Sequence, residues 1–355
     1  MKDRIIIKDF GPVKNVDLIL SDITVFIGQQ ASGKSTIAKL IHFFRYITGE
    51  TPFLSADPLD LYKIFKRFVG NAYFRSSTSA EIDYIYSNGI TLKFKNDKLI
   101  YDNLKRKHHK SVFIPASRAI YSLISESMFS LNAEAVNIDD SILIFGQVIE
   151  QIKKHSDSIF KTGNLLIDQL CIEILKGRFT ITGGESRIYY TQDQYITLDN
   201  ASSGQQEALP LLLILTNSSF TGDNTCITIE EPEAHLYPYT QNKLIELIGH
   251  IYNNRQTKKN FIITTHSPYI LTSFNNLLFA YQTAGLNEKA KKETSNIIPE
   301  SAWINPENLD AYYVEDGTIR SIYDDGLIID NEIDDVSEDI AESYDRLIDI
   351  FQICS

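Results

Sequence analysis

Cysteine is scarce: Cys171, Cys226 and Cys354 are the only three in 355 residues, with no paired or CxxC spacing. That excludes a disulfide framework and a zinc ribbon, and a reducing compartment fits. No apolar run approaches the roughly 20 residues that cross a bilayer, and the charged start Met1-Lys2-Asp3-Arg4 leads into no signal-peptide pattern. A cytoplasmic protein with no membrane partner is expected. Basic charge is also short. The 34 Lys and Arg stand against 46 Asp and Glu, a net of −12, which argues against a uniformly basic protein that coats nucleic acid. The deficit is uneven: from Ser321 to Ser355 eleven acids face Arg346 alone, so the first 320 residues carry only −2. One local basic run stands at Lys105-Arg106-Lys107-His108-His109-Lys110, although a run this short is usually a solvated loop. No heptad pattern persists long enough for a coiled-coil arm, and no internal repeat or low-complexity linker is found.

What is present is a chain of ordinary globular composition, 43% apolar and 23% charged, long enough to bury a substantial core. It is organised around Gly28-Gln29-Gln30-Ala31-Ser32-Gly33-Lys34-Ser35-Thr36, which follows the apolar run Ile23 to Ile27 and opens into Ile37-Ala38-Lys39-Leu40-Ile41. Strand, glycine loop and helix in that order turn G-x-x-x-x-G-K-[ST] into a phosphate cradle. Gly28 and Gly33 let the backbone N–H groups curl inward, Lys34 brings a cation to the β- and γ-phosphates, and Ser35 offers a hydroxyl to Mg²⁺. The positive end of the new helix then faces the anion.

In chain order, Ile5–Ile7 and Val16–Leu20 read as strands joined at Phe10-Gly11-Pro12, an antiparallel flap before the glycine-loop strand. Helices are expected from Lys34 to about Tyr46 and from Pro58 to Val69 after an Asp57 cap. Glu81–Tyr86, Asn88-Gly89 and Ile90–Lys95 give the strongest hairpin signal, with Leu99–Tyr101 adding a strand to a small β lobe. Ser111–Pro115 reads as a buried strand. Helical periodicity then dominates from Ala119 to about Leu175, followed by short strands at Arg178–Ile181, Ile188–Thr191 and Tyr195–Leu198.

Three further stretches matter. Ala201-Ser202-Ser203-Gly204-Gln205-Gln206-Glu207 opens an apolar helix and reads either as a second anion site or as a well-capped helix start. Cys226–Ile229 is a buried-strand pattern ending in Glu230-Glu231-Pro232-Glu233-Ala234-His235-Leu236. Phe261–Thr265 is another, ending in His266-Ser267-Pro268. Acids and a histidine at the carboxyl ends of parallel strands stand where open α/β sheets gather their ligands.

Together these stretches resemble the ATP-binding heads of the ABC-type ATPase superfamily, in the branch holding the RecF, SMC and OLD (overcoming lysogenization defect) proteins, and the OLD-like group above all. Gly28–Thr36 is similar to its Walker A motif, Ser202–Gln205 to its signature, Cys226–Glu231 to its Walker B strand, and His266 to its switch histidine. The OLD-like group is echoed by Glu230–Leu236, by Phe10-Gly11-Pro12-Val13-Lys14 and by Ile114-Pro115-Ala116-Ser117-Arg118. The chain departs at Gln29-Gln30, where the branch commonly has Pro-Asn, at Ser203, where transporters place glycine, and at Tyr237, where a second histidine is common. No glutamine is assigned to the Q-loop. Val314-Glu315-Asp316-Gly317 faintly echoes the opening of a TOPRIM nuclease, but only 38 residues follow it, so it reads as a hairpin turn.

The resemblance implies an α/β P-loop NTPase of ABC head type, with a mixed central sheet, an antiparallel β lobe and a helical insertion. Residues 1–110 would form the first part of the head, 111–200 the helical insertion, 201–285 the second part, and 286–355 an acidic extension of hairpin plus helix. It implies ATP and Mg²⁺ as ligands. Gly28, Gln30, Ser32, Gly33, Lys34, Ser35 and Thr36 would hold the nucleotide, with Ser202, Ser203, Gly204 and Gln205 covering that of a second copy. Ser35 and Glu230 would hold the metal, and Glu231, His266 and Lys34 would be catalytic. Two heads would close over ATP, gating a separate nuclease or toxin in a prokaryotic antiphage system. The alternative is a DNA-repair or surveillance clamp of RecF or SMC type, in which nucleic acid is the partner. A transporter ATPase fits poorly, because 170 positions separate Lys34 from Gly204 and Glu230 stands where transporters usually have Asp.

Overall fold

The central strands are built on short, largely buried runs rich in Ile, Val, Phe and Thr. The computed structural model describes residues 2–49, 58–70, 73, 79–101, 110–123, 140–154, 162–217, 225–254, 259–329 and 346–348. Asp57, all of the basic run except Lys110, and most of the acidic tail lie outside the described residues.

Strands β1 (Arg4–Phe10), β2 (Val13–Ile19) and β3 (Ile23–Ile27) precede helices α1 (Lys34–Gly49) and α2 (Pro58–Val69). Then come β4 (Glu81–Ile85), β5 (Thr91–Lys95), β6 (Lys98–Tyr101) and β7 (Lys110–Ile114). Helices α3 (Ile120–Leu123), α4 (Asp140–Lys154) and α5 (Leu165–Leu175) lead to β8 (Arg178–Thr182), β9 (Glu185–Tyr189) and β10 (Tyr195–Thr197). Next are α6 (Ser203–Thr216), β11 (Thr225–Glu230), α7 (Pro238–Tyr252), β12 (Lys259–Thr265), α8 (Pro268–Ala284) and α9 (Glu288–Ile297). Strands β13 (Leu309–Glu315), β14 (Thr318–Ser321), β15 (Tyr323–Asp324) and β16 (Leu327–Ile328) follow.

Among the described residues, eleven strands form one mixed sheet in the order β6-β5-β4-β1-β2-β14-β13-β3-β12-β11-β7. From β13 to β7 every pairing is parallel, and all five residues of β3 are buried, as a strand covered on both faces requires. Ile23, Val25 and Ile27 face a core shared with α4 to α8, whereas Phe26 faces a second core with α1, α2 and the antiparallel flap. Register sets the site. Thr265 pairs with Ile27, and Glu230 with Thr264, so β3, β12 and β11 end level with one another and their exit loops emerge side by side.

The β lobe forms as the Asn88-Gly89 signal requires, with Gly89 at φ 86° and the Tyr86 N–H donating to Ile90 O. Element ends differ from expectation in several places: β2 begins at Val13 rather than Val16, and α1 runs to Gly49 rather than Tyr46. β9 begins at Glu185 rather than Ile188, because Gly183 and Gly184, at φ 62° and 82°, close a two-residue turn that pairs Thr182 with Glu185. The 286–355 segment supplies β13, which lies directly beside β3 in the central sheet. Its inward residues Leu309, Ala311 and Tyr313 join the larger core.

Candidate functional site

The glycine loop takes the cradle shape its composition demands. Gly28 and Gly33 have φ of 148° and 110°, values glycine reaches without strain, while Ala31 holds a left-handed φ of 60° despite its Cβ. At Gly28 the need is doubled, since a Cβ there would lie 2.2 Å from Val314 O on β13. Lys34, 4% exposed, folds back into the loop and donates to Gly28 O and Gln29 O, each at 2.7 Å, and to Ser32 Oγ at 3.4 Å. Burial pulls its amine down to about 8, against the charges of Glu231 and Glu233. Ser35 is exposed, and Gln30 lines a cavity of about 280 Å³ between the glycine loop, Pro12, Lys14 and the Glu315-Asp316-Gly317 turn. Thr36 is buried, its hydroxyl 3.5 Å from Tyr73 OH.

His266 and Glu231 leave the neighbouring strands against Lys34. Lys34 Nζ lies 3.5 Å from His266 Nδ1, and His266 Nε2 lies 3.3 Å from Glu231 Oε1. An ammonium only donates and a carboxylate only accepts, so the neutral imidazole that satisfies both carries its proton on Nε2. The His266 hydrogen bond holds the Glu231 carboxyl below its usual range, opposed by partial burial and helped by the charge of Lys34. Glu233, which sequence reading left without a role, fixes the other side of the histidine. Its Oε1 accepts the backbone N–H of His266 at 2.6 Å and the Thr265 hydroxyl at 2.8 Å, and burial pushes its carboxyl up.

Glu230 is 6% exposed, and burial raises its carboxyl against the Lys39 charge and a hydrogen bond from Ser35. Its Oε2 accepts the Ala116 N–H at 3.4 Å, while buried Oε1 has no hydrogen-bond partner among the described residues. An unpaired buried carboxylate oxygen beside a serine hydroxyl is a hard donor set that fits Mg²⁺. No group of three or more His, Cys, Asp or Glu among the described residues could hold a metal alone.

Arg118 is a second participant that the sequence does not reveal, because nothing in a sequence tells that an arginine is 0% exposed beneath the end of β11. Its guanidinium donates to the carbonyls of both Glu230 and Glu231.

Ser202 to Gln205 form a capping box: Ser202 Oγ accepts the Gln205 N–H, and Gln205 Oε1 accepts the Ser202 N–H. Gln205 Nε2 also donates to Leu175 O. The capped-helix reading therefore holds, and exposed Ser202 and Ser203 stay open to solvent.

A glycine cradle feeding α1, flanked on the next two parallel strands by a histidine and paired acids, makes this a P-loop NTPase head. Its mixed sheet, antiparallel lobe and helical insertion are those expected of the ABC head type. Residues 1–114 and 71–271 match the family described as the AAA ATPase domain; the chain belongs to that family and is an ATPase. No curated protein matches the chain. Solved structures similar to it include the SMC head domain from Thermotoga maritima, at 14% identity and a TM-score of 0.45, covering 92% of this chain and 100% of that one. An Smc head bound to the C-winged helix domain of ScpA gives 11% and 0.45, over 90% and 96%. A Pyrococcus furiosus Smc head with an extended coiled coil, bound to the C-terminal domain of ScpA, gives 12% and 0.40, over 95% and 98%. No described helix is long and apolar enough to cross a membrane.

Proposed function

We propose that the protein is an ATP-driven switch in which two heads pair head to tail over two nucleotides and gate a separate nuclease or toxin in prokaryotic antiphage defence. The observation that carries the catalytic part is the row Lys34–His266–Glu231, with contacts of 3.5 and 3.3 Å. In this reading Lys34 exchanges its contacts with Gly28 O and Gln29 O for phosphate oxygens, and the amides from Gly28 to Thr36 line the rest of the cradle. Glu230 and Ser35 hold Mg²⁺, which when bound neutralises phosphate charge. Glu231 orients or deprotonates the attacking water, and His266 holds that carboxylate through its Nε2–H while Nδ1 faces Lys34, so loss of the γ-phosphate reaches the histidine through the lysine. The exposed Ser202–Gly204 turn of each chain covers the nucleotide of the other, an isologous arrangement. The defence role is supported by the OLD-like residue pattern.

The test uses two variants. Lys34→Ala is expected to lose ATP binding. Glu231→Gln should bind ATP, lose roughly 10²- to 10⁴-fold in turnover and run as a dimer in ATP. Normal turnover of Glu231→Gln would remove the base assignment, and a monomer under saturating ATP would remove the pairing. The effector role is tested by asking whether that locked pair retains or releases a nuclease or toxin encoded beside it. Salt-dependent DNA binding that disappears on neutralising Lys105, Arg106, Lys107 and Lys110 would instead favour the clamp reading.

A further inference from the structure

Four main-chain carbonyls converge on the buried guanidinium of Arg118. Nη1 donates to Pro115 O at 3.1 Å and Glu230 O at 2.7 Å, Nη2 to Glu231 O at 3.0 Å, and Nε to Glu207 O at 3.2 Å. The counter-ion is Glu207, whose Oε2 lies 3.2 Å from Nε and whose Oε1 accepts the Ala119 N–H at 3.0 Å. Packing alone gives no reason for such a group. A buried ion pair is often no more stable than apolar residues of the same volume. What an arginine supplies and an apolar residue cannot is a rigid fork of donors that holds several acceptors in fixed relation.

Two of those acceptors belong to residues whose placement matters. Glu231 has φ 44°, a left-handed conformation that a side chain with a Cβ adopts only when its surroundings impose it. Its N–H is tied to Thr264 O at 2.8 Å and its carbonyl to Arg118. Both peptide units flanking Glu231 are thereby anchored, which aims its carboxylate at His266. At the far end of the fork, Glu207 sits in the early turns of α6, the helix capped by Ser202. One guanidinium therefore spans from the acids at the end of β11 to the helix that carries the Ser202–Gly204 turn.

We propose that Arg118 is a positioning residue for hydrolysis, which holds Glu231 in its left-handed conformation and joins it through Glu207 to the Ser202–Gly204 turn. Closure of a second copy on that turn is then transmitted to the acids of the same chain, linking the nucleotide in its own cradle to the one it covers. This rests on the paired-head reading above.

Arg118→Lys keeps the charge but replaces the fork with a single nitrogen. Its kcat is expected to fall on the order of 100-fold, as for a displaced catalytic group. The Kd for ATP, set by the glycine loop and Lys34, should stay within about threefold of the parent, the signature of an interaction used only in the transition state. Glu207→Gln removes the counter-ion charge from the tie to α6 but leaves the main-chain contacts of Arg118 to Glu207, Glu230 and Glu231. It should pair on ATP as the parent does yet turn over about tenfold more slowly, and it carries the test if Arg118→Lys does not fold. Parental turnover in both variants would overturn the inference, as would losses of kcat, ATP affinity and melting temperature in step. Glu231→Gln run in the same assay separates the two readings: if it is inactive while both variants are normal, only the Arg118 inference fails. If Glu231→Gln is itself normal, the base assignment beneath it fails.

Discussion

A Cβ placed on Gly204 would stand 2.9 Å from the carbonyl oxygen of His235. The glycine that family resemblance assigns to a neighbour's nucleotide is thus already required within its own chain. The His235 backbone, at φ 58°, is the element it approaches, in the loop that leaves β11.

The first prediction follows from that contact. Gly204→Ala should lower the melting temperature of the nucleotide-free protein by a few degrees, because backbone must move to admit the methyl, at a cost of about 1–3 kcal/mol. Ser203→Ala, at an exposed position, should leave the melting temperature unchanged and is the cleaner probe of nucleotide capping. Equal melting temperatures for parent and Gly204→Ala would show that the turn has room the structure denies it.

Gly28→Ala should be harsher. Its φ is 148° and the nearest atom is backbone, Val314 O, so neither the loop nor β13 can yield cheaply. A loss of about 3 kcal/mol or more is expected in chemical denaturation. A loss no larger than that of Gly204→Ala would contradict the packing of β13 against the glycine loop.

The parts of the molecule legible in sequence were those where one residue type leaves no alternative. β3, β11 and β12 are apolar runs ending at Gly28, Glu231 and His266, and their parallel register follows once all three are buried. Asn88-Gly89 fixed the β4–β5 hairpin through turn chemistry alone. What stayed hidden was long-range. β13 alternates like any edge strand, and its place beside β3 depends on a glycine 286 positions earlier that leaves room for Val314 O. Arg118 and Glu233 carry ordinary surface chemistry, and only folding reveals that both are enclosed around Glu231 and His266. Gly183-Gly184 is itself a turn signal, and it sets the start of β9 at Glu185.

Lys34 gives a pH prediction. Burial brings its amine down to about 8, whereas phosphate oxygens stabilise the ammonium and raise it. Below about pH 8 the amine is already charged and ATP affinity should be flat. Above it, binding must take up a proton, so affinity should fall by up to about tenfold per pH unit. Titration calorimetry at about pH 7, 8 and 9, in buffers of different ionisation enthalpy, measures both the affinity and the proton taken up. A constant Kd with no proton uptake at about pH 9 would place Lys34 outside the phosphate site.

Glu230 sets stability against metal binding. Burial raises its carboxyl above the ordinary 4.5, so its contribution to stability is fully present below that value and is lost as pH rises through the folded-state value. At neutral pH, without a cation, the buried carboxylate with its unpaired Oε1 is a liability. Glu230→Gln keeps the shape and removes the charge. The nucleotide-free variant should therefore be more stable than the parent near pH 7, by about 0.5–2 kcal/mol, the exchange of stability for function typical of sites. Its turnover should demand about 10- to 100-fold more Mg²⁺, if any concentration restores it. Were the variant less stable without metal and unchanged in its Mg²⁺ requirement, the carboxylate would be a structural hydrogen-bond acceptor for Ala116 and Ser35, and the cation would have to be held elsewhere.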